Sequence, residues 1–480
     1  MNFKEPSIDA FINDYVDKLR QGTSTIFIGA GMSKAAGFVD WKGLLKDLAS
    51  ELGLKIEDEP DLISVAQFHK NKNNNRNKID EKIVNEFTDS DVETKNHRII
   101  ARLPFNTIWT TNYDDLIEDA HLKIHKKVDV KSEVDDLFIN RDNRACILYK
   151  MHGDKDKPSK AVLLKEDYEK YYYTHEPFIS ILNSELITKS FLFVGFSFTD
   201  PNINYIFGRL THRYSDKSKG HYCIMKRTSL EDWGNVQEKY EYEKIKQDLF
   251  VKELSRYRVQ TIFIEIYSDL TLLLSEIERR FNSHSVFISG SAAEYGAFTE
   301  SEAQNFIHLI SKELVINKLT VINGFGLGVG SAVINGALDA VYSTPKKFSE
   351  NQLVVKPFPQ FPSGGKDLKE LWEEYRQNMI PRAGIILILF GNKKIDDGSI
   401  ENAKGIKREF EIALSKGLWP IPIHYTGYMA SEIFRLLLKE FRDYKIPEQF
   451  IKDIGDLKFH KDDIEKSVAD IISLINKVAN

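Results

Sequence analysis

The residues in this sequence best suited to chemistry are His152, Asn112 and Asp114, set among two kinds of glycine turn. Histidine is ordinarily half-protonated near neutrality, so His152, in His152-Gly153, could take a proton from water or a hydroxyl. Asn112, in Thr110-Thr-Asn-Tyr-Asp114, could orient a water or a hydroxyl through its amide without carrying charge. The first kind of turn comprises Gly29-Ala-Gly-Met-Ser33, which contributes Gly29, Ala30, Gly31 and Ser33, and Gly195-Phe-Ser-Phe-Thr-Asp200, which contributes Ser197. In the Gly29 turn, glycine has no Cβ to keep the backbone from a phosphate, and a helix N-terminus behind the turn would face the anion. Taken alone, the Gly29 turn fits a purely structural bend as well.

A second group lies further along. Ser289-Gly-Ser291 (Ser289, Gly290, Ser291) and Asn323-Gly-Phe-Gly-Leu-Gly-Val-Gly330 (Gly326, Leu327, Gly328) could cradle phosphate through backbone N–H groups. Arg376 and Lys393 could neutralise phosphates, and Glu409 could accept from ribose or base donors. Each of these charges, taken singly, is more often a solvated surface charge.

The elements that must position these groups are short apolar runs. Thr25–Ile28, Thr107–Thr110, Ala145–Met151 and Phe191–Val194 each lead directly into one of the first-group motifs, so four polar clusters converge on one sheet edge. His221–Met225 and Thr261–Ile266 extend the series, and the helical or polar stretches between runs predict a parallel sheet covered by helices. Ile8, Phe11, Ile12, Tyr15 and Leu19 recur at helical spacing and predict an amphipathic first helix. The polar patch 71–78 reads as an exposed loop.

The pattern restarts after a break near Asn282-Ser-His284. Strands are expected at Ser285–Ile288, Leu319–Ile322, Ile385–Phe390 and Leu418–Ile423. Thr299 and Glu302 predict a capping box ahead of a helix whose apolar face is Ala303, Phe306, Ile307, Ile310 and Leu314. Glu409 falls in an expected early helical turn. The chain thus reads as two α/β domains, 1–282 and 283–480.

Composition narrows the class. The 480 residues are 42% hydrophobic and 29% charged, enough to bury two cores. A net charge of −5 gives no general attraction for nucleic acid. The two cysteines, Cys146 and Cys223, sit in apolar runs and read as buried core thiols, so neither a disulfide framework nor a four-cysteine zinc site is expected, and no cluster of cysteines or histidines has ligand spacing for a metal. No signal peptide and no run of about 18 apolar residues is visible, so a cytoplasmic protein without a membrane span is expected.

Across residues 20–205 the chain resembles the sirtuin superfamily, whose members carry a Gly-Ala-Gly-x-Ser turn, a Thr-x-Asn-x-Asp-like segment, a His-Gly and a later Gly-x-Ser in this order. The resemblance implies a Rossmann-type sheet that binds NAD+ as substrate, with no further cofactor. Gly29, Ala30, Gly31 and Ser33 would then hold its phosphates, Ser197 would add polar contacts, Asn112 and Asp114 would position the nicotinamide ribose, and His152 would be the general base. Two features differ from protein-deacylating sirtuins: the four-cysteine module is missing, and Gly37-Phe-Val-Asp-Trp41 stands where Pro-Asp-Phe-Arg is expected. The second half resembles the Rossmann-like SLOG family. Its enzymatic branch carries a Pro-Gly-Gly-x-Gly-Thr loop and a catalytic Glu, whereas Val329-Gly-Ser-Ala-Val333 places no acid there, which favours binding over catalysis.

Together the two halves resemble the NAD-hydrolysing effectors of Thoeris anti-phage systems. That resemblance implies a homo-tetramer activated by a cyclic ADP-ribose isomer from a TIR-domain partner, with Arg376, Lys393 and Glu409 as ligands of the signal. Two alternatives stand beside it: an NAD-dependent protein deacylase and a non-enzymatic nucleotide-sensing scaffold.

Overall fold

A computed structural model describes residues 3–88, 94–198, 200–203, 206–208 and 219–479. The chain forms two compact units, Met1–Glu278 and Arg279–Asn480, and the helix Tyr267–Asn282 runs through the junction.

The first unit opens with the helix Pro6–Arg20. Proline in its first turn loses no hydrogen bond, because those N–H groups have no partner within the helix. Ile8, Phe11, Ile12, Tyr15, Val16 and Leu19 are buried on one face, as the periodicity predicts. Seven strands follow in chain order: β1 (Ser24–Ile28), β2 (Thr107–Thr110), β3 (Val128–Lys131), β4 (Cys146–Lys150), β5 (Ser190–Val194), β6 (His221–Lys226) and β7 (Val259–Ile264). All pair in parallel, in the order β3-β4-β2-β1-β5-β6-β7. The chain leaves β1 for β2 on one side and later returns to β5 on the other. The carboxyl ends flanking β1 are therefore where an open α/β sheet binds its ligand.

Six of these strands follow the apolar runs; β3 does not. It is a four-residue edge strand with the polar sequence Val-Asp-Val-Lys, which offers no apolar run to read. The loop expected at 71–78 is mostly helical. The helix Leu62–Asn73 ends at Asn74, whose φ of 52° turns the chain into Asn77–Phe87. Asn75 accepts from the Asn77 N–H and donates to Asn73 O, and Arg76 reaches Asp80 and the carbonyls of Pro158 and Ala161. The polar side chains here make the turn rather than dissolve the helices.

The second unit holds β8 (Ser285–Ser291), β9 (Thr320–Asn323), β10 (Leu353–Val355), β11 (Ile385–Phe390), the hairpin β12 (Asn392–Lys394) and β13 (Ile400–Asn402), and β14 (Trp419–Pro422). Five make a parallel sheet in the order β10-β9-β8-β11-β14. β11 is six consecutive buried apolar residues, as a strand covered on both faces requires. The expected capping box is present: the Thr299 side chain accepts from the Glu302 N–H, and Glu302 accepts from that of Thr299, opening the helix Glu300–Ile316. The fold is thus α/β, with two parallel sheets. No described helix is long and apolar enough to cross a membrane. Both cysteines are buried, and burial pushes each thiol up to about 12.

Candidate functional site

At the carboxyl end of β1 the chain enters a short 3-10 helix, Ala30–Ala36. Its glycines have a reason other than access for a pyrophosphate. A Cβ on Gly29 would stand 2.4 Å from Gly195 O, and one on Gly195 would stand 2.6 Å from Met32 N. The Gly31 N–H donates to Gly195 O at 2.9 Å. The turns after β1 and β5 are thus packed backbone to backbone, which fixes where Ser33 stands.

Ser33 and Asp114 are joined to Asn112 in a buried relay. The Ser33 hydroxyl donates to Asp114 Oδ2 at 2.7 Å, and Asn112 Nδ2 donates to Ser33 Oγ at 2.9 Å. An ionised Asp114 can only accept, so Ser33 spends its one proton there and must accept from Asn112. The amide is thereby turned so that Oδ1 faces away from the relay, buried and without a hydrogen-bond partner. The Asn112 N–H donates to Thr110 Oγ1, which itself donates to Ile28 O. Burial pushes the Asp114 carboxyl up, while Ser33, Lys150 and the Leu116 N–H pull it back.

Ala30, Ser33, Trp41, Phe87, Asn112 and Asp114 are among the residues around a cavity of about 20 Å³. That is room for about one water, against roughly 300 Å³ or more for a typical ligand pocket. His152 follows β4 as expected but is not part of this wall. Its ring meets Tyr168 at 5.6 Å, and Tyr168 meets the cavity residue Trp41 at 6.3 Å. His152 is buried, and Nδ1 has no protein partner. Nε2 lies 2.9 Å from Asp200 Oδ2, although at an angle that does not make a regular hydrogen bond. Asp200 closes the Gly195–Asp200 motif, so the motif itself held the signal for this partner; Thr199 lies outside the described residues. Ser197, expected to touch the ligand, is exposed and lines no part of the cavity. Ser33, expected to hold phosphate, has its hydroxyl committed to the relay.

Behind Asn112 and His152 lies a buried charge cluster that the sequence reading missed. Lys150 Nζ stands 2.6 Å from Asp154, 3.0 Å from Glu118 and 3.1 Å from Asp115. It also donates to the carbonyls of Tyr113 and Asp114. Burial works against its charge, but the three carboxylates outweigh it and raise the Lys150 pKa. Burial pushes Glu118 up to about 7. Among the described residues these three carboxylates are the group with metal-ligand spacing, and the lysine ammonium fills its centre.

In the second unit Ser289 and Gly290, expected in a loop, lie in β8. The turn after β9 packs onto this strand end: a Cβ on Gly326 would stand 1.9 Å from Gly290 O, and one on Gly328 would stand 2.0 Å from Ala292 O. Leu327 gives its carbonyl to the Ala292 N–H, and its side chain is exposed. The helix Gly330–Ser343 begins directly behind this turn.

Ser289 Oγ donates to Glu409 Oε2 at 2.6 Å, and Arg376 Nε lies 3.4 Å from Glu409 Oε1. The Arg376 guanidinium also lies over the Phe358 ring, 5.0 Å from its centroid. Glu409 is the sixth residue of the helix Lys404–Ser415, not in its first turn, and is buried. Burial pushes its carboxyl up, opposed by Ser289 and Arg376. Three predicted residues therefore meet.

Lys393 does not join them. It lies on the β12–β13 hairpin, half exposed, with Nζ 2.8 Å from Glu401. Its neighbour Asn392 is the residue that touches the strand end. Fully buried, Asn392 accepts from the Ala293 and Glu294 N–H groups, donates to Glu294 O, and takes the Ser291 hydroxyl on its carbonyl.

Comparison with known proteins agrees with this two-part organisation. Residues 106–252 match the SIR2-like domain family, and residues 269–478 match the Sir2- and TIR-associating SLOG family. The chain is 40% identical to NAD(+) hydrolase ThsA of Bacillus cereus (strain MSX-D12) over 99% of both chains. It is 38% identical to the protein of the same name from Cytobacillus dafuensis, covering 97% of this chain and 96% of that one. A third, from Enterococcus faecium, is 34% identical over 97% of this chain and 98% of its own. Likeness at this level along the whole length, with both domains in the same order, places the chain in the ThsA family of sirtuin-like, SLOG-bearing NAD(+) hydrolases.

Proposed function

We propose that the chain hydrolyses NAD+ to nicotinamide and ADP-ribose, and that a cyclic ADP-ribose-type nucleotide bound to the second domain switches this activity on. The hydrolase reading is carried by two buried polar atoms that no described residue meets, Asn112 Oδ1 and His152 Nδ1, each directly after a strand at one sheet edge. An orphaned buried acceptor costs about 1–3 kcal/mol unless something meets it. A ribose hydroxyl or a water would. The full-length relatives named NAD(+) hydrolases support the substrate.

Cleavage of the nicotinamide–ribose bond sends its electron pair to nicotinamide, which leaves neutral, and positive charge develops on the ribose. Water adds at that carbon and gives up a proton. His152 takes the proton, and Asn112 Oδ1 accepts a hydrogen bond from the water or a ribose hydroxyl. Ser33 and Asp114 hold Asn112 in register through the relay. Gly29, Ala30 and Gly31 shape the turn beside the substrate, while Ser197 makes at most a peripheral contact.

In the second domain, Ser289, Arg376 and Glu409 form the centre of the signal's site, with Gly290, Ser291, Gly326, Leu327 and Gly328 presenting backbone and Lys393 at its margin. A phosphate would draw Arg376 from Glu409, leaving the carboxylate to accept from ribose or base. The family description, Sir2- and TIR-associating, supports a TIR-domain enzyme as source of the signal. The roughly 20 Å³ cavity supports a resting first domain, too small for a dinucleotide. A signal activates only by binding the active arrangement more tightly than the resting one. We assign these roles to domains 1–282 and 283–480 of a cytoplasmic homo-tetramer.

The test is nicotinamide release from NAD+ by the full chain, with and without cyclic ADP-ribose isomers, beside an acyl-lysine peptide assay. Release that depends on one isomer, with no deacylation, is the expected result. Full release without any isomer would overturn the sensor reading, and no release under any of them would overturn the hydrolase reading.

A further inference from the structure

His152 and Asp200 come from strand ends on opposite sides of β1, from the turns after β4 and β5. The Asp200 side chain is 8% exposed and that of His152 is 2% exposed. Asp200 Oδ1 accepts the N–H groups of Asn202 at 2.9 Å and Ile203 at 3.0 Å. One carboxylate oxygen is thus held by its own turn, which aims the other, Oδ2, at His152 Nε2, 2.9 Å away.

The surroundings leave Asp200 charged. Burial pushes its carboxyl up, but His152 and the two backbone N–H groups outweigh burial and hold it below its ordinary value. Among the described residues the titratable groups around the pair are Tyr113, Tyr168, Tyr171 and His175. Burial raises all three tyrosines, and burial followed by His152 lowers His175 to about 4, so none carries charge at neutral pH.

An ionised carboxylate can only accept, so a ring nitrogen 2.9 Å from it is favoured to carry the proton even where the angle is not that of a straight hydrogen bond. We infer that Asp200 is the positioning residue of the hydrolysis: it fixes the N–H of His152 on Nε2 and leaves Nδ1 as the basic atom. Both ring nitrogens are buried without a regular hydrogen bond among the described residues, but Nε2 is the one with a carboxylate 2.9 Å away, and Nδ1 faces none. As water adds to the ribose carbon and nicotinamide departs with its bonding pair, the proton of that water passes to Nδ1. The imidazolium so formed lies against the Asp200 carboxylate until Nδ1 returns the proton to solvent. The ring, not the carboxylate, exchanges the proton.

This inference rests on the hydrolase reading, and the experiment separates the two. Full-length protein is assayed under the conditions in which the unmodified chain releases nicotinamide. Asp200→Asn keeps the shape but can offer an N–H to Nε2, which stabilises the wrong tautomer. Its kcat should fall by on the order of 10²-fold or more while KM stays within about threefold. Asp200→Glu should recover part of the loss. In the His152→Ala background, Asp200→Asn should have no further effect, because its only route to the reaction has gone. If Asp200→Asn does not fold, Asp200→Ser carries the same comparisons. An active unmodified chain whose Asp200→Asn variant keeps its kcat would overturn the inference and leave the hydrolase reading intact. So would a loss confined to KM, a Glu variant no better than Asn, or a full additional loss in the double variant. An unmodified chain that never releases nicotinamide would overturn both.

Discussion

In each unit a glycine turn after one strand packs its backbone onto the end of a neighbouring strand or its turn: Gly29 against Gly195 in the first, Gly326 against Gly290 in the second. Both edges then present a buried carboxylate bonded to a serine hydroxyl, Asp114 with Ser33 and Glu409 with Ser289. There the likeness ends. The first edge uses its relay to aim an amide whose oxygen is left unmatched, and it adds a histidine nitrogen in the same condition. The second closes its relay with Arg376, so that each charge already has an opposite. An edge that keeps unmatched polar atoms out of water holds them ready for a reacting molecule; an edge whose charges are paired can exchange one partner for another, which is binding. On the proposed function, one architecture would serve both purposes, with the difference resting on a few side chains.

The strongest way to break this contrast is to remove the unmatched atoms. Asn112→Ala and His152→Ala should each lower nicotinamide release by on the order of 10²-fold or more, with circular dichroism and melting temperature close to those of the unmodified chain. Near-normal release in both would mean that the first edge is not the reacting one. Next comes Arg376→Ala, which removes a charge-assisted contact worth roughly 1.5–3 kcal/mol and should weaken binding of a cyclic ADP-ribose isomer about tenfold or more by calorimetry. Its maximal rate of NAD+ cleavage at saturating isomer should match that of the unmodified chain, since Arg376 lies outside the unit that carries Asn112 and His152.

Gly326→Ala tests the shared scaffold. Its Cβ would meet Gly290 O at 1.9 Å, so the turn must shift, at a cost of roughly 1–3 kcal/mol. A lowered melting temperature together with weakened isomer binding is expected; an unchanged melt would mean that the turn is looser than described.

The smallest effect belongs to the clamp between the two helices that carry Arg376 and Glu409. Arg408 Nη2 lies 2.6 Å from Glu373 Oε1, and Arg408 holds Glu373 at about 2, well below the ordinary value. A depressed carboxylate adds stability above its unfolded pKa and loses it as pH falls through the folded one, so this contribution should fade between about pH 4.5 and 2. The pair is half exposed, and Glu373→Gln should cost only about 0.5 kcal/mol at pH 7 and nothing at pH 2 by denaturant unfolding.

The legibility of the sequence follows from the range of each signal. Short motifs attached to apolar strands are local, so Ser33, Asn112, Asp114 and His152 could be found, and the parallel order of the sheets brings them to one edge. Asp200 was visible as part of a motif, but its pairing with His152 depends on β5 lying across β1 from β4, which no local pattern encodes. That the Ser33 hydroxyl is already bonded on both sides is visible only in the fold. The pairing of Lys393 with Glu401 could not be read from the sequence, because the hairpin that makes it has strands of three residues, too short to show alternation. Edge strand β10, also three residues, escaped for the same reason, and β3 escaped because Val-Asp-Val-Lys holds no apolar run.

The Lys150 ammonium, set among Asp115, Glu118 and Asp154 and two carbonyls of the segment that carries Asn112, has a consequence for supply. A cation in such a cage is often a borrowed ion, taken up from the surroundings and lost to whatever competes for it. Here the cation is translated with the chain and tethered by four methylenes. Starvation or a chelator cannot withdraw it, and no loading step separates the newly folded protein from one whose loops are already tied together.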